Sequence, residues 1–371
     1  MQLHEFLVSP AETARRKGPH DRIVMSSRVR LARNLKESAF PGWAKKPERI
    51  RILELIRPAV EHLPELSGAF SETMDNLSTL EKQLLVERHL ISREHAAKSA
   101  GSGLVLNREE TFCVMINEED HLRMQALRPG LQLRQAWAAI DHLDSQLESQ
   151  LNYAFSNELG YLTACPTNLG TGIRVSAMLH LPGLVLAEQI NPIIQSVNKL
   201  GLAVRGLYGE GTEALGNVFQ VSNQMTLGES ESTIVERLEK VLAQIIEHEE
   251  NARGTLMEKK AKIVHNHIGR AYGILANAHS ISSKETMNLL SLMRLGGDLG
   301  SFPGMERSLV DELFILTQPA HLQKQHAEKL SAEERDLLRA DMLRDRLQPI
   351  RRPIAKPGGA AGTGLDKADK S

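Results

Sequence analysis

Two short stretches of this chain alternate in character with a period of two residues, and they constrain its architecture more tightly than any other feature. In TFCVMINEED, Phe112, Val114 and Ile116 alternate with Cys113, Met115 and Asn117. In SSRVRLARN, arginine and apolar positions alternate behind a β-leaning start. Successive side chains of a strand point to opposite faces, so the first stretch reads as a half-buried strand, and on the second Arg28 and Arg30 share one face.

Around these strands the texture becomes helical. Residues 46–64, 77–98 and 131–157 read as helices, the last with Trp137, Ile140, Leu143, Leu147 and Leu151 on one stripe. GLAVRGLYGEG reads as a strand entering a glycine-rich turn, with VFQVSNQMTLG as its hairpin partner. A long helix follows. Thr233 and Glu236 have the spacing of a capping box, and Ile234, Leu238, Val241, Leu242, Ile245 and Ile246 recur at helical spacing. Helical patterns continue over 284–295, 305–317 and 332–348, the last opening on a second capping-box pair, Ser331 and Glu334. No internal repeat is visible. Strands mixed with helices and then helices alone predict an α/β (α+β) unit over 21–253 and a helical unit over 257–350. Residues 1–20 read as a polar lead-in. Residues 351–371, rich in Gly, Pro and Ala, read as a disordered tail that cannot bury enough surface to offset its ordering entropy.

Composition narrows the function. With 371 residues, 41% hydrophobic and 25% charged, the chain resembles an ordinary globular protein. A formal net charge of −1 argues against general nucleic-acid binding, which needs a concentrated basic surface. The two cysteines, Cys113 and Cys165, have no metal-ligand spacing and read as free thiols of a reducing compartment. The N-terminus lacks the apolar core of a signal peptide, and the richest apolar region, Val175 to Ala187, is too short and broken to span a membrane. A cytoplasmic protein is the expectation.

The nucleotide-binding motifs of other kinases are absent: no P-loop, no H-R-D or D-F-G set, and no H-E-x-x-H zinc motif. Single arginines do stand in polar segments: Arg123 after NEEDH, Arg174 in NLGTGIR and Arg205 in VRGLYGEG, besides Arg28 and Arg30. Guanidinium forks converging on one cleft would clamp a triphosphate and stabilise a phosphoryl group in flight. Taken singly, each would equally serve as a surface ion-pair partner. The acidic run Glu118-Glu119-Asp120 closes a strand and reads either as a solvated turn or as a carboxylate facing a cleft, able to take a proton from a guanidinium. Glu210, between two glycines, is a second candidate of that kind. Cys165 is either a small buried filler or a thiolate beside a cationic substrate.

Taken together and in order, SSRVRLARN, NEEDHLR, CPTNLGTGIR and RGLYGEGTEA resemble the ATP:guanido phosphotransferase family of creatine and arginine kinases, and most of all its bacterial protein arginine kinases. The resemblance implies a large antiparallel sheet flanked by helices, Mg2+ and ATP. It implies that Arg28, Arg30, Arg123, Arg174 and Arg205 hold the phosphates. Ser26, Ser27, Val29, Val175, Ser176, Ala177, Met178, Gly206, Leu207, Tyr208, Gly209 and Glu210 would lie along the nucleotide, with His89 beside the adenosine. Glu119 would be the base, Glu210 the second carboxylate, and Cys165 the neighbour of the substrate.

Two departures from the small-molecule enzymes point to a protein-borne arginine. The helical domain that precedes SSRVR in phosphagen kinases has no counterpart before Ser26, and Tyr208 stands where arginine kinases carry another arginine. In the C-terminal unit, Arg335-Asp336-Leu337-Leu338-Arg339-Ala340 matches the R-D-x-x-R-A motif that binds phosphoarginine in the family. Residues i and i+4 share a helix face, so Arg335 and Arg339 would grip the phosphoryl group while Asp336 pairs with its guanidinium. The resemblance further implies a homodimer or larger homo-oligomer, a zinc-finger activator, stress-gene repressors and a Clp-type chaperone. A kinase for free arginine and a phosphoarginine-binding adaptor are the alternatives.

Overall fold

The computed structural model describes residues 17–206, 214–326 and 328–355. Its strands are β1 (Val24–Arg33), β2 (Phe70–Thr73), β3 (Gly103–Leu106), β4 (Phe112–Ile116), β5 (Leu122–Pro129), β6 (Phe155–Ser156), β7 (Gly160–Tyr161), β8 (Ile173–His180), β9 (Leu202–Gly206) and β10 (Val218–Asn223). Among the described residues eight of them form one sheet in the order β2-β3-β4-β5-β1-β8-β10-β9, every neighbouring pair antiparallel. The hairpin expected between GLAVRG and VFQVSNQ is the β9–β10 edge of that sheet.

The helices among the described residues are α1 (Lys46–Glu61), α2 (Thr79–Glu87), α3 (Arg93–Ala96), α4 (Leu133–Glu148), α5 (Pro182–Leu186), α6 (Ile190–Lys199), α7 (Glu231–Leu275), α8 (Ser283–Asp298), α9 (Arg307–Leu316), α10 (Pro319–Lys324) and α11 (Ala332–Leu347). The main core lies between one face of the sheet and α1, α4 and α7. Val29, Leu31, Val114, Met124, Val175 and Val221 meet Ile56, Ile140, Leu143, Leu238 and Leu242 there, all but excluded from water. Apolar burial of this kind supplies roughly 25 cal/mol per Å², which makes it the dominant favourable contribution to folding. The opposite face is divided. Over β2–β4 it is covered by α2, where Phe70, Leu85, Leu104, Cys113 and Met115 make a second, smaller core. Over β5, β1, β8, β10 and β9 it carries Arg123, Gln125, Arg28, Arg30, Arg174, Ser176, Gln220, Ser222 and Arg205 among a few apolar residues, and there a cleft opens.

Several expectations change in three dimensions. β4 is buried on both faces, not one, because α2 covers the side that carries Cys113 and Met115. The helix expected over 77–98 breaks into α2 and α3 at His89, whose φ is 61°. The helix expected over 131–157 stops at Glu148; residues 152–154 instead pair with 34–36, through Lys36 N to Asn152 O (2.9 Å) and Ala154 N to Asn34 O (2.7 Å). Helix α7 is capped by Ser230, whose hydroxyl accepts from Thr233 N, so Thr233 lies inside the first turn and makes no box with Glu236. The box of Ser331 with Glu334 is present at the start of α11.

Helix α7 is continuous through the boundary expected at 253–257, with one non-helical residue, Lys260 (φ −134°, ψ 24°). The main core ends on it at Ala252, and a third core begins at Leu256, where α7–α9 and α11 pack through Ile268, Leu290, Leu313 and Leu343. The first residues of the expected tail are docked, since Ile354 N donates to Ser301 O at 2.8 Å. Residues 356–371 and the lead-in 1–16 lie outside the described residues. No helix among the described residues is long and apolar enough to cross a membrane.

Candidate active site

The antiparallel register places the expected arginines on one face. Arg30 of β1 stands opposite Arg174 of β8, Arg28 opposite Ser176, Arg205 of β9 opposite Gln220, and Arg123 of β5 opposite Ala32, two residues on from Arg30. Arg30, Arg123, Arg174 and Arg205, with Glu118, Glu119, Gln220 and Ser222, line a single cleft of about 780 Å³. A smaller cavity beside it is lined by Met25, Ser26, Arg28, His89, Ser176 and Met178, and Gln220 borders both. Ser27, Val29, Val175 and Ala177 point the other way into the interior, so the strand alternation gives them the role of carrying the site and not of lining it.

The cleft concentrates positive charge that its carboxylates offset only in part, since Arg123 is paired with Glu118 while Arg30, Arg174, Arg205 and Lys98 line it as well. Burial, then Arg123 and Arg174, lower the Arg28 pKa to about 10. Arg30 is held well below the ordinary guanidinium range by burial and by Arg28, Arg123 and Arg174. Arg30 Nε is buried without a hydrogen-bond partner, whereas Arg28 reaches Gln220 Oε1 (3.1 Å) and Arg174 donates to Asn223 O. A buried donor left unsatisfied costs about 1–3 kcal/mol, and a bound anion would relieve both it and the repulsion that Glu118 leaves among these arginines. The donor set therefore fits a polyphosphate.

The acidic run divides its labour. Asn117 takes the left-handed conformation (φ 56°), closes a turn through its N–H to His121 O (3.0 Å), and is pinned by its side-chain amide to Arg49 O and Gly101 O. After this turn Glu118 is buried, accepting from Arg123 (2.6 Å) and from the Ser92 hydroxyl (2.5 Å). Asp120 is buried too, and ties Asn34 Nδ2 (2.6 Å) to Ala164 N (2.7 Å). Glu119 is the member of the run that stands exposed at the cleft, 3.6 Å from Arg123, its pKa raised by desolvation and by Asp120.

Cys165 follows Ala164 on the loop that Asp120 holds, its thiol 3.1 Å from Thr167 Oγ1 and close enough to act on the charge of Arg174. The turn that leads into β8 requires Gly172: its φ is +66°, and a Cβ there would meet Ala32 O at 2.6 Å. His89 is kept neutral by burial, its pKa lowered to about 4. Gly206 ends β9; Leu207, Tyr208, Gly209 and Glu210 lie outside the described residues.

Some cleft residues were not expected from the sequence. Gln220 and Ser222 carried a usable signal, alternation with Phe219 and Val221 in VFQVS. Glu118 stood in the acidic run without being told apart from its neighbours, while Ser92, Lys98 and Trp43 carried no signal, since only the folded loops bring them to the cleft.

The R-D-x-x-R-A segment departs from its expected geometry. Arg339 is buried, and its guanidinium donates to Thr317 O (2.8 Å) and Ile281 O (2.8 Å) and pairs with Asp336. Arg335 is half-buried and donates to Leu330 O at 3.2 Å. Loop carbonyls at the ends of neighbouring helices thus occupy the inner fork, and Arg335 lies near enough to act on its charge. Ala340 is buried beside it.

A broad antiparallel sheet whose polar face gathers arginines against a carboxylate defines the class: the chain is an ATP:guanido phosphotransferase. Residues 51–252 match the family model for the ATP:guanido phosphotransferase C-terminal catalytic domain, and residues 261–357 match that of the protein-arginine kinase McsB C-terminal domain. The particular family follows from both: the chain belongs to the protein-arginine kinases. It is 46% identical over 350 residues to the protein-arginine kinase of Bacillus subtilis, covering 94% of this chain and 96% of that one. It is 48% identical over 334 residues to that of Geobacillus stearothermophilus, covering 90% and 92%. Among solved structures, a lombricine kinase aligns with a TM-score of 0.55 at 25% identity, over 65% of this chain and 71% of that one.

Proposed function

We propose that this enzyme transfers the γ-phosphoryl group of ATP to arginine side chains of proteins. The observation that carries the reading is the convergence of Arg30, Arg123, Arg174 and Arg205 on the cleft that also contains Glu119. The triphosphate would lie along the arginines, with Arg30 Nε supplied with its missing acceptor, and the adenosine side would lie toward His89. Glu119 would receive the target guanidinium and take a proton from it, leaving a neutral nitrogen to attack the γ-phosphorus in line as its bond to the bridging β–γ oxygen breaks and ADP leaves. Glu118, held by Ser92, would keep Arg123 aimed, and Cys165 and Glu210 would flank the substrate. Fixed cations aimed at the charge spread over the transferring group stabilise the transition state without reorganisation, so positioning and electrostatics would supply most of the acceleration.

Magnesium would be carried on the phosphate oxygens, as a cation that keeps most of its waters and takes one or two carboxylates at most. Its contribution when bound is to neutralise phosphate charge. The C-terminal unit would bind phosphoarginine around Arg335, Asp336, Arg339 and Ala340 and pair subunits into an oligomer. The cellular setting that fits is cytoplasmic stress response, with a zinc-finger activator, a repressor substrate and a Clp-type chaperone downstream. The test is mass spectrometry, under non-acidic conditions, of an unfolded basic protein incubated with the enzyme and ATP. Phosphoarginine on the protein is expected. Efficient turnover of free arginine, with the protein left unmodified, would reassign the enzyme to small guanidines.

A further inference from the structure

Trp43 stands at the cleft with 89% of its surface exposed, although the loop that carries it is firmly held. Trp43 N and Ala44 N both donate to Phe40 O (2.8 and 2.9 Å), and the Phe40 ring meets His121 edge-on at 6.1 Å. His121 is buried and accepts Leu35 N at 3.0 Å through Nδ1, while its Nε2 lies 3.0 Å from Ala39 O. His121 also closes the turn that carries Glu118 and Glu119. The indole is therefore held out into water by a scaffold shared with the candidate base. Tryptophan joins a large apolar ring to a polar N–H and is enriched at interfaces, and this one lines the cleft that contains Glu119.

We propose that Trp43 is a substrate-positioning residue, the surface against which the polypeptide flanking a target arginine packs while its guanidinium reaches Glu119. The inference rests on the reading of the enzyme as a protein-arginine kinase and adds to it the part that sees the protein. Charge fits this occupant. The arginines that line the cleft suit the nucleotide, whereas Glu94, exposed and near enough to Glu119 to act on its charge, joins it as a second carboxylate for the cationic target arginine, with Lys98 on the same cleft. An aromatic face suits such a segment, since it packs on aliphatic stems and attracts cations at once.

The test compares a ten-residue peptide bearing one central arginine with N-acetylarginine amide, which has no flanking residues. Trp43→Ala is expected to raise KM for the peptide about tenfold, as loss of an aromatic anchor does. It should leave kcat, KM for ATP and turnover of the amide unchanged, and Trp43→Phe should recover most of the loss. In a Trp137→Phe background, where Trp43 is the sole tryptophan, its emission should shift as the peptide is titrated without ATP, saturating near the peptide KM. Unchanged peptide KM in Trp43→Ala, equal losses for peptide and amide, a silent emission, or an altered oligomer mass from a contact between copies would each overturn the proposal. If the wild-type enzyme itself prefers the amide to the peptide, the protein-substrate reading fails first, and the role of Trp43 with it.

Discussion

At the scale of single residues, the site depends on charges that disagree with their surroundings. Glu119 carries a raised pKa, and as a base it works only when ionised. The rate should therefore fall on acidification, with the acid limb of the kcat/KM profile, which reports the free enzyme, above the ordinary 4.5. Glu119→Gln should lower kcat by about 10²–10⁴-fold while nucleotide binding persists. Wild-type activity in that variant would remove Glu119 from the chemistry. Arg30 makes the complementary case: a desolvated cation among cations, with Nε unmatched. Arg30→Met should raise the Tm of the nucleotide-free protein and abolish most of the Tm increase that ATP produces. A less stable apo variant with an intact ATP shift would show that Arg30 is satisfied without phosphate.

At the scale of elements, the turn after β4 decides what the acidic run does. A left-handed Asn117 sends Glu118 inward to Arg123 and Glu119 outward to the cleft. Asn117→Ala should cost about 1–3 kcal/mol through backbone strain and unpaired carbonyls at Arg49 and Gly101, and should lower kcat by misplacing both glutamates. Asn117→Gly separates the causes, because glycine accepts the conformation but cannot bond those carbonyls. Denaturant unfolding of the two variants beside their kinetics makes the comparison. If alanine and glycine behave alike, backbone strain contributes nothing.

At the scale of the molecule, a buried polar network joins the sheet to the helical unit. Arg294 of α8 pairs with Asp311 (2.7 Å), contacts His180 Nδ1 (3.1 Å) and donates to the Asp21 and Arg22 carbonyls, while His180 Nε2 meets Ser291 Oγ at 2.8 Å. Removing one partner of a buried pair costs about 3–5 kcal/mol, so Arg294→Ala should lower Tm sharply and unlink the melting of the two units in calorimetry. A single unshifted transition would contradict this. Acid should act on the whole fold as well. His89 and His95 are both lowered to about 4 by burial, so below 6.5 the unfolded chain binds more protons than the folded one. Their contribution is complete above 6.5 and is lost as pH falls toward 4, about 2 kcal/mol at pH 5 for His95. Urea unfolding at pH 7 and 5, with and without His95→Gln, measures it, and an unchanged difference between the two pH values would exclude His95.

The sequence by itself determined β1, β4, β9 and β10, the face shared by Arg28 and Arg30, and the helical C-terminal unit, because periodicity is a local property that each stretch carries alone; β2, β3, β5 and β8 show themselves only in the folded sheet. The four motif segments likewise carried the family. Tertiary structure alone decided which member of the acidic run stands exposed at the cleft and which are buried, that β4 is covered on both sides, and that Arg339 is turned inward onto two carbonyls. Those outcomes depend on which distant groups arrive within bonding distance, on burial by α2, and on one left-handed residue. None of these has a period, and spacing along the chain does not encode them.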